Sequence, residues 1–229
     1  MIENHPLLTV RRRFPRPNPA QVAALRGAQT GNIVDALGGT RGALDGRIKP
    51  IGAPTPFCGV AITADCGPAD NLAAFGALDA AEPGDVIICA SDGFEGFAVI
   101  GDLMLGMMKN KGVVAFVTDG FVRDIAGLRA VGLPCYAAGL TPNSPARSGP
   151  GNVGFPIVVG GVAVGPGDVV VGDEDGVVIV PMARLESVIE RLPKIRAAEE
   201  KLAADVAAGL VMPDFVQVLI DAKRFREVE

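Results

Sequence analysis

The chain has 229 residues, of which 49% are hydrophobic, and this length and composition suit one α/β domain with a sizeable core. Its net charge of −5 disfavours a duplex nucleic-acid binder, because such a protein needs a basic face to displace counterions. The basic cluster at Arg11, Arg12 and Arg13 is interpreted as a solvated or intersubunit arm. No stretch reaches the roughly 18 uninterrupted apolar residues of a membrane span, and the N-terminus lacks an apolar core of signal-peptide length. We therefore expect a soluble, cytoplasmic protein without nucleic-acid or membrane partners.

Turn residues and apolar runs divide the first two thirds of the chain into short elements. Asn18 followed by Pro19 is typical of a helix start, while Thr30 and either Asp70 or Asn71 are candidate caps of later helices. The predicted helices cover residues 19–28, 30–39, 72–80, 101–109 and 125–131. The predicted strands cover residues 58–64, 86–89, 113–117 and 134–137. Their alternation indicates βαβ units around a largely parallel sheet.

The last third of the chain differs in its pattern of apolar residues and turns. Short β runs at 157–159, 162–164, 169–171 and 177–180 are separated by glycine-rich turns, which predicts a β-meander. A long, one-sidedly charged helix follows over about 185–208, and Pro193 predicts a break or kink in it. No long polar linker divides the sequence. We therefore predict an N-terminal arm over residues 1–17 and one α/β domain over residues 18–229.

Several catalytic chemistries are disfavoured by the residues that are missing. The single histidine, His5, lies in the predicted arm, which disfavours histidine zinc sites and Ser-His-Asp triads. No Walker loop or G-x-G-x-x-G helix start is present, and no lysine lies in the candidate strand-end motifs, so nucleotide cofactors and Schiff-base chemistry are disfavoured. The four cysteines each lie in or beside an apolar run and are interpreted as reduced core thiols. Carboxylates, arginines and backbone amides remain, a set suited to Mg²⁺-assisted chemistry on a carboxylated substrate.

The segment 118–124 directly follows a strand that is apolar enough to be buried on both faces, and it ends in Arg123 and Asp124. Open α/β sheets bind ligands just beyond the carboxyl ends of parallel strands. An arginine there can clamp a carboxylate with two parallel hydrogen bonds, and an aspartate can ligate Mg²⁺. The alternative is an ion pair at a helix start, with Asp124 complementing the helix dipole.

Three further places could contribute to a site. Residues 101–104 (Gly-Asp-Leu-Met) open a helix whose free amides offer an anion site, and Asp102 adds a carboxylate, although an ordinary helix cap would look the same. Glu199 and Glu200 lie in a charge run that is otherwise typical of a solvated helix face. Arg147, in a loop, has a similar surface interpretation.

In this order, the motifs resemble the RraA-like family, which joins the regulators of ribonuclease E activity with the class II 4-hydroxy-4-methyl-2-oxoglutarate/4-carboxy-4-hydroxy-2-oxoadipate aldolases. The resemblance runs from about Gly31 to Gly209. Its motifs lie at residues 101–103, 119–124, 132–134, 166–168 and 173–177. It implies a single-domain ββα swivelling-type fold that assembles as a homotrimer or homohexamer with sites at subunit interfaces.

The resemblance also implies roles for the residues at matching positions. Asp124 would bind Mg²⁺ or Mn²⁺ directly, while Asp102 and Glu199 would hold the ion through water. The glutamate would come from the C-terminal helix of a neighbouring subunit, with Glu200 as the alternative. Arg123, Asp102 and Glu199 are the implied catalytic residues. The implied substrate contacts are Asn71, Gly101, Asp102, Leu103, Met104, Arg123 and Arg147.

Two comparisons within that family bear on function. The aldolases usually carry lysine in the loop occupied by Arg147, and the loop 144–153 is the least family-like part of the domain, which bears on substrate identity. The non-catalytic regulators typically lack the metal-binding aspartate, so Asp124 favours an enzyme. The expected function is metal-dependent C–C cleavage of a small 2-oxo acid, by retro-aldol release of pyruvate or by oxaloacetate decarboxylation. The alternative is a non-enzymatic regulator that binds a ribonuclease; a methyltransferase is disfavoured by the lack of a glycine-rich S-adenosylmethionine loop.

Overall fold

The computed structural model describes residues 6–39, 42–52 and 56–228, so the expectation for His5 lies outside the described residues. The strands are β1 (Leu8–Val10), β2 (Lys49–Pro50), β3 (Phe57–Asp65), β4 (Asp85–Ala90), β5 (Ala115–Thr118), β6 (Phe121–Val122), β7 (Cys135–Ala137), β8 (Gly139–Leu140), β9 (Gly151–Val153), β10 (Ile157–Val159), β11 (Val162–Val164), β12 (Val169–Asp173) and β13 (Gly176–Val180). The helices are α1 (Pro19–Leu25), α2 (Thr30–Ala36), α3 (Leu72–Ala80), α4 (Asp102–Lys111), α5 (Ile125–Val131), α6 (Leu185–Ala207) and α7 (Asp214–Asp221), and a 3-10 turn spans Met182–Arg184.

A mostly parallel sheet lies at the centre of the molecule. Its strand order is β1-β9-β3-β4-β5-β7-β2, with β12 and β13 added along β3, and β3, β4, β5 and β7 are mutually parallel. Alternate residues of β4 point to opposite faces, as strand geometry requires. Ile87 and Cys89 pack with α3, α4 and α5, whereas Val86 and Ile88 pack with β10 and β11. Both faces are therefore covered, and the predicted α/β class with a central parallel sheet is confirmed.

The predicted starts of the first two helices are confirmed in one case and corrected in the other. Asn18 caps α1 in a reciprocal arrangement with Gln21, as expected, but α1 ends at Leu25 instead of Ala28 because the backbone turns extended at the next residue. Thr30 does not cap α2. It is the first helical residue, and its backbone N–H and its hydroxyl both donate to Asp173, at 2.8 Å each. Asp173, the first residue of the 173–177 motif, therefore anchors the start of α2.

The C-terminal β runs are present as predicted, but they pair as two hairpins. β10 pairs with β11 in a small separate sheet, and β12 pairs with β13 in the main sheet. The other edge of β12 pairs antiparallel with β3, so both of its edges are occupied and, in the described part of the chain, none is left for β11. The predicted continuous meander is corrected to this arrangement because the long-range pairing with β3 takes precedence.

The long helix α6 runs through Pro193 without ending there, so the predicted break is wrong, while the alternative of a kink stays a prediction. Val188 and Leu192 before the proline are buried against α1 and α2, and Ile195 after it packs on the same cluster. This packing on both sides of Pro193 holds the helix together despite the lost backbone hydrogen bond. No helix in the described ranges is both long and apolar enough to traverse a membrane.

The predicted N-terminal arm is tied to the rest of the molecule from residue 8 onward. Its strand β1 pairs in parallel with β9 at the edge of the main sheet. Arg16 makes a two-pronged ion pair with the buried Asp85, with N–O distances of 2.6 and 2.9 Å. Arg12 pairs with Asp79 on the surface, and the Arg11 guanidinium lies 4.2 Å from the centre of a phenylalanine ring. Two members of the basic cluster thus contact their own domain.

Candidate active site

A cavity of about 170 Å³ lies beyond the carboxyl ends of the central parallel strands. Asn71 follows β3, Gly101 follows β4, and Arg123 with Asp124 follows β5. Parallel strands end at the same edge of a sheet, which brings these distant positions together. The cavity is lined by Asn71, Phe75, Val99, Ile100, Gly101, Asp102, Leu103, Met104, Met107, Arg123, Asp124, Pro145 and Arg147. Of the sequence-predicted site residues, all but the α6 glutamate therefore share one cavity.

Asp124 sits at the start of α5 in an unusual backbone conformation. Its φ of 63° and ψ of 47° are left-handed, a region that costs a non-glycine residue of order 1 kcal/mol or more. Its side chain makes no capping hydrogen bond to the helix within the described structure. Arg123 Nε lies 3.2 Å from Asp124 Oδ2, and both side chains are partly exposed. The ion pair considered as an alternative is thus present, but an exposed pair contributes little to stability, and both residues also line the cavity.

Gly101 is the residue that lets the Asp124 carboxylate approach the start of α4. A Cβ at this position would overlap Asp124 Oδ2 and would lie 3.2 Å from two side-chain atoms of Arg123. The φ of −127° and ψ of −172° are ordinary extended values, so glycine is needed here for space and not for its conformational freedom. As a result, the Asp124 carboxylate lies against Gly101, at the N-terminus of α4, where a helix favours negative charge.

Asp102 is positioned by a glycine that sequence reasoning missed. A Cβ on Gly127 of α5 would lie 2.5 Å from both Cβ and Cγ of Asp102, so the side chain rests directly on the helix backbone. Glycine inside a helix costs about 1 kcal/mol of helix stability relative to alanine. The presence of Gly127 inside a predicted helix was therefore the one sign in the sequence of a close contact at this position. Asp102 Oδ1 also accepts a hydrogen bond of 2.7 Å from the Leu103 amide. Two carboxylates, from Asp102 and Asp124, thus line the same cavity.

Asn71 brings a buried polar group without a complete set of partners. The residue is 4% exposed, and its Nδ2 donates to the Val99 carbonyl at 2.8 Å. Its Oδ1 is buried and has no hydrogen-bond partner among the described residues. An unsatisfied buried acceptor costs about 1–3 kcal/mol, so a donor from a bound molecule would stabilise this wall of the cavity. Asn71 occupies the helix-start position of α3 without capping it, and Asp70 Oδ1 accepts from the Leu72 amide instead.

Two arginines bring positive charge to the cavity. Arg123 Nη1 donates to Ser144 Oγ. Arg147 lies over Phe75, with its guanidinium carbon 5.5 Å from the ring centre, close enough for a cation–π contact. Neither Ser144 nor Phe75 was a candidate from the sequence, because the first lies in an irregular loop and the second in an apolar helix run. Both arginines line the cavity, and a guanidinium group can bind a carboxylate with two parallel hydrogen bonds.

The two glutamates of α6 are not brought to this cavity within one chain. Glu199 and Glu200 are exposed on the distal half of the helix, and neither lines the cavity as described. The proximal half of α6 packs on α1 and α2, on the β12–β13 side of the sheet. Their contribution to a site in a neighbouring subunit stays a prediction.

The donor set at the cavity suits a hard divalent ion. Within the described ranges there is no cluster of three or more histidine, cysteine, aspartate or glutamate side chains that could hold a metal. The carboxylates among the described cavity-lining residues are those of Asp102 and Asp124. Mg²⁺ is commonly held by one or two carboxylates, with water and substrate oxygens completing its shell. The four cysteines are free and buried, as predicted. Burial raises the pKa of Cys58 to about 11 and that of Cys135 to about 12, which keeps both protonated and poor as ligands.

Comparisons with known proteins agree with this geometry. A protein of Halalkalibacterium halodurans named "Putative 4-hydroxy-4-methyl-2-oxoglutarate aldolase" is 38% identical over 179 residues, which cover 78% of this chain and 85% of that protein. The structure of Streptomyces coelicolor RraAS2, described as an unusual member of the RNase ES inhibitor RraA family, is 27% identical with a TM-score of 0.75 and covers 83% of this chain and 100% of that one. The structure of the RNA-processing inhibitor RraA from Thermus thermophilis is 31% identical with a TM-score of 0.62, covering 67% of this chain and 93% of that one.

The family model described as "RraA-like: Aldolase/RraA" matches residues 30–179, which include every cavity-lining residue and all strands of the central sheet except β1 and the last residue of β13. Three findings lead to one classification: the sequence motifs, the parallel sheet with its cavity beyond the strand ends, and the similarity to these relatives. The chain belongs to the RraA-like, aldolase/RraA family.

Proposed function

We propose that this protein is a class II, divalent-metal-dependent lyase that cleaves a C–C bond next to the carbonyl of a small 2-oxo acid. The reaction is retro-aldol release of pyruvate from a substrate like 4-hydroxy-4-methyl-2-oxoglutarate, or decarboxylation of oxaloacetate. The observation that carries the proposal is the single cavity that unites Arg123, Asp124, Asp102 and Asn71 beyond the ends of the parallel strands. The relative named as an aldolase supports the same chemistry.

The side chains of the cavity divide the work of binding. Asp124 and Asp102 would hold Mg²⁺ or Mn²⁺, and the bound ion would supply Lewis-acid stabilisation of the negative charge that develops on the 2-oxo oxygen. Arg123 would clamp the adjacent carboxylate, and the first-turn amides of α4 favour negative charge at the same end of the cavity. The buried Oδ1 of Asn71 would accept a hydrogen bond from the substrate hydroxyl, which would satisfy the acceptor.

The retro-aldol step requires a proton acceptor and later a proton donor. The proton leaves the 4-hydroxyl, the C3–C4 bond breaks, C4 becomes a carbonyl carbon, and the electron pair moves toward C3. Protonation of C3 then gives pyruvate. We assign the ordering of the water that takes and returns the proton to Asp102 and to Glu199 of a second copy of the chain.

A homotrimer or homohexamer with shared sites is part of this proposal. Leu103 is 77% exposed beside the cavity, and Met107 on the next turn of α4 is 49% exposed. Apolar groups exposed together on one helix mark a site of protein contact, and this pair on α4 supports association of copies near the cavity mouth.

The test is a coupled assay of pyruvate release from 4-hydroxy-4-methyl-2-oxoglutarate and from oxaloacetate, with Mg²⁺ or Mn²⁺ and with excess chelator. The protein-free rate is subtracted, because oxaloacetate also decarboxylates spontaneously. Asp124→Ala is expected to abolish metal-dependent release while leaving the oligomer unchanged in sedimentation. Asp65→Asn is a matched control, since Asp65 ends β3 and does not belong to the described cavity lining. Full wild-type activity in excess chelator would contradict the proposal.

The second candidate function is a non-enzymatic regulator that binds a ribonuclease. It is favoured by the two structural relatives described as RraA-type inhibitors. It predicts no turnover of any 2-oxo acid and a protein–protein affinity that neither chelator nor Asp124→Ala changes. Asp124, exposed to the cavity in a strained conformation, favours the enzyme.

A further inference from the structure

We propose that Asp70 is a positioning residue that fixes Arg147 and thereby sets the affinity of the cavity for the second carboxylate of a diacid. The inference rests on the proposed function, since it concerns how the same cavity recognises its substrate. Asp70 does not itself belong to the described lining of the cavity, so it acts through the residues that it holds.

The carboxylate of Asp70 joins two segments that are far apart in the sequence. Oδ1 accepts from the Leu72 amide at 2.8 Å, at the start of α3. Oδ2 accepts from the Ser148 and Gly149 amides, at 2.6 and 3.1 Å. These three bonds are charge-assisted, and such bonds are roughly twice as strong as neutral ones. One ionised side chain thus pins the loop that carries Arg147 onto the turn before α3.

Backbone hydrogen bonds align the same two segments. The Ala146 amide donates to the Ala69 carbonyl at 2.8 Å, and the Asn71 amide donates to the Ala146 carbonyl at 3.1 Å. In the sequence, Arg147 lies between Ala146, which makes these backbone bonds, and Ser148, which contacts Asp70. Its guanidinium lies over Phe75 of α3. The turn and the loop therefore form one unit, which presents Asn71 and Arg147 to the cavity together.

The other end of the same loop has separate anchors. Asn143 Nδ2 donates to the Gly96 carbonyl at 2.8 Å, and the Ala98 amide donates to the Asn143 carbonyl at 3.0 Å. The next residue, Ser144, accepts from Arg123. Loss of the Asp70 contacts is therefore expected to displace Arg147 while Arg123 keeps its position, so the two ends of the cavity should respond differently.

The test compares ligands that carry one or two carboxylates. Asp70→Asn preserves shape, but its amide nitrogen cannot accept the hydrogen bonds that one carboxylate oxygen now receives. Binding of 2-oxoglutarate and of pyruvate to the full-length Mg²⁺-loaded protein is measured by titration calorimetry. Asp70→Asn is expected to weaken the affinity for 2-oxoglutarate by about tenfold, as the loss of one charged hydrogen bond would. The affinity for pyruvate is expected to stay unchanged. Asp65→Asn should change neither. An equal effect on both ligands, or no effect on either, overturns the proposal.

A double-mutant cycle separates positioning from general stabilisation. In an Arg147→Ala background, Asp70→Asn should cause no further loss of 2-oxoglutarate affinity, because the group through which it acts is gone. Additive losses would show that Asp70 acts elsewhere and would overturn the proposal. The two proposals can fail separately. If the wild type releases no pyruvate but Asp70→Asn selectively loses 2-oxoglutarate binding, the lyase is refuted and the positioning role stands. If the wild type releases pyruvate but Asp70→Asn binds 2-oxoglutarate as the wild type does, the positioning role is refuted and the lyase stands.

Discussion

Gly101→Ala tests whether the Asp124 carboxylate must lie against the start of α4. The added Cβ would overlap Asp124 Oδ2 and sit 3.2 Å from Arg123 Cγ and Nε. Restoring ordinary van der Waals separation requires the carboxylate to withdraw by roughly 1 Å. A displacement of that size at a reacting site costs about a hundredfold in rate, or about 2.7 kcal/mol of transition-state stabilisation. We therefore expect kcat/KM for pyruvate release to fall by about that factor.

Stability should change far less than activity in the same variant. The backbone at Gly101 is extended, with a φ of −127°, so alanine introduces no strain there. The Asp124 side chain is 46% exposed and can swing into solvent, so the free energy of unfolding should stay within about 1 kcal/mol of the wild type in urea titration. Gly106→Ala is the matched control on the same helix, because its Cβ would meet its nearest neighbour at 3.9 Å, an ordinary contact. The reasoning fails if the two variants have the same kcat/KM.

Two further predictions concern the arm and the assembly. Arg16→Ala leaves the buried carboxylate of Asp85 without its cationic partner, so the free energy of unfolding measured in urea should fall by about 3–5 kcal/mol. Arg12→Ala removes an exposed ion pair and should lower the free energy of unfolding by less than about 1 kcal/mol. Equal losses would refute a structural role for the buried pair. If Glu199 completes a neighbour's site, co-expressing inactive Glu199→Gln chains with inactive Asp124→Ala chains should restore part of the activity, because a mixed oligomer contains some intact sites. Absence of any recovery in purified mixed oligomers would show that the site is built from one chain.

The main features of the fold could be read from local patterns. The apolar, β-branched runs that became β4 and β5, and the helices between them, follow from side-chain periodicity and turn residues, which act over a few neighbouring positions. Helix α5 has the predicted bounds, Ile125–Val131. The site could be located for a related reason: parallel strands end at one edge, so residues that follow them meet there. Arg123 and Asp124 were found in this way, whereas Asn71 was named as a substrate contact only through the family resemblance.

What the sequence by itself determined is thus the class of the sheet and the identity of most groups around the cavity. The tertiary structure alone decided how those groups touch, because the contacts join residues far apart in the chain. Asp70 reaches Ser148 across 78 positions and Thr30 reaches Asp173 across 143, and no short-range preference specifies either pair. The same holds for β12, which pairs with β3 on the edge where the predicted meander would have placed β11. Such contacts form only when packing brings distant segments together, so their energetic advantage is invisible in any window of neighbouring residues.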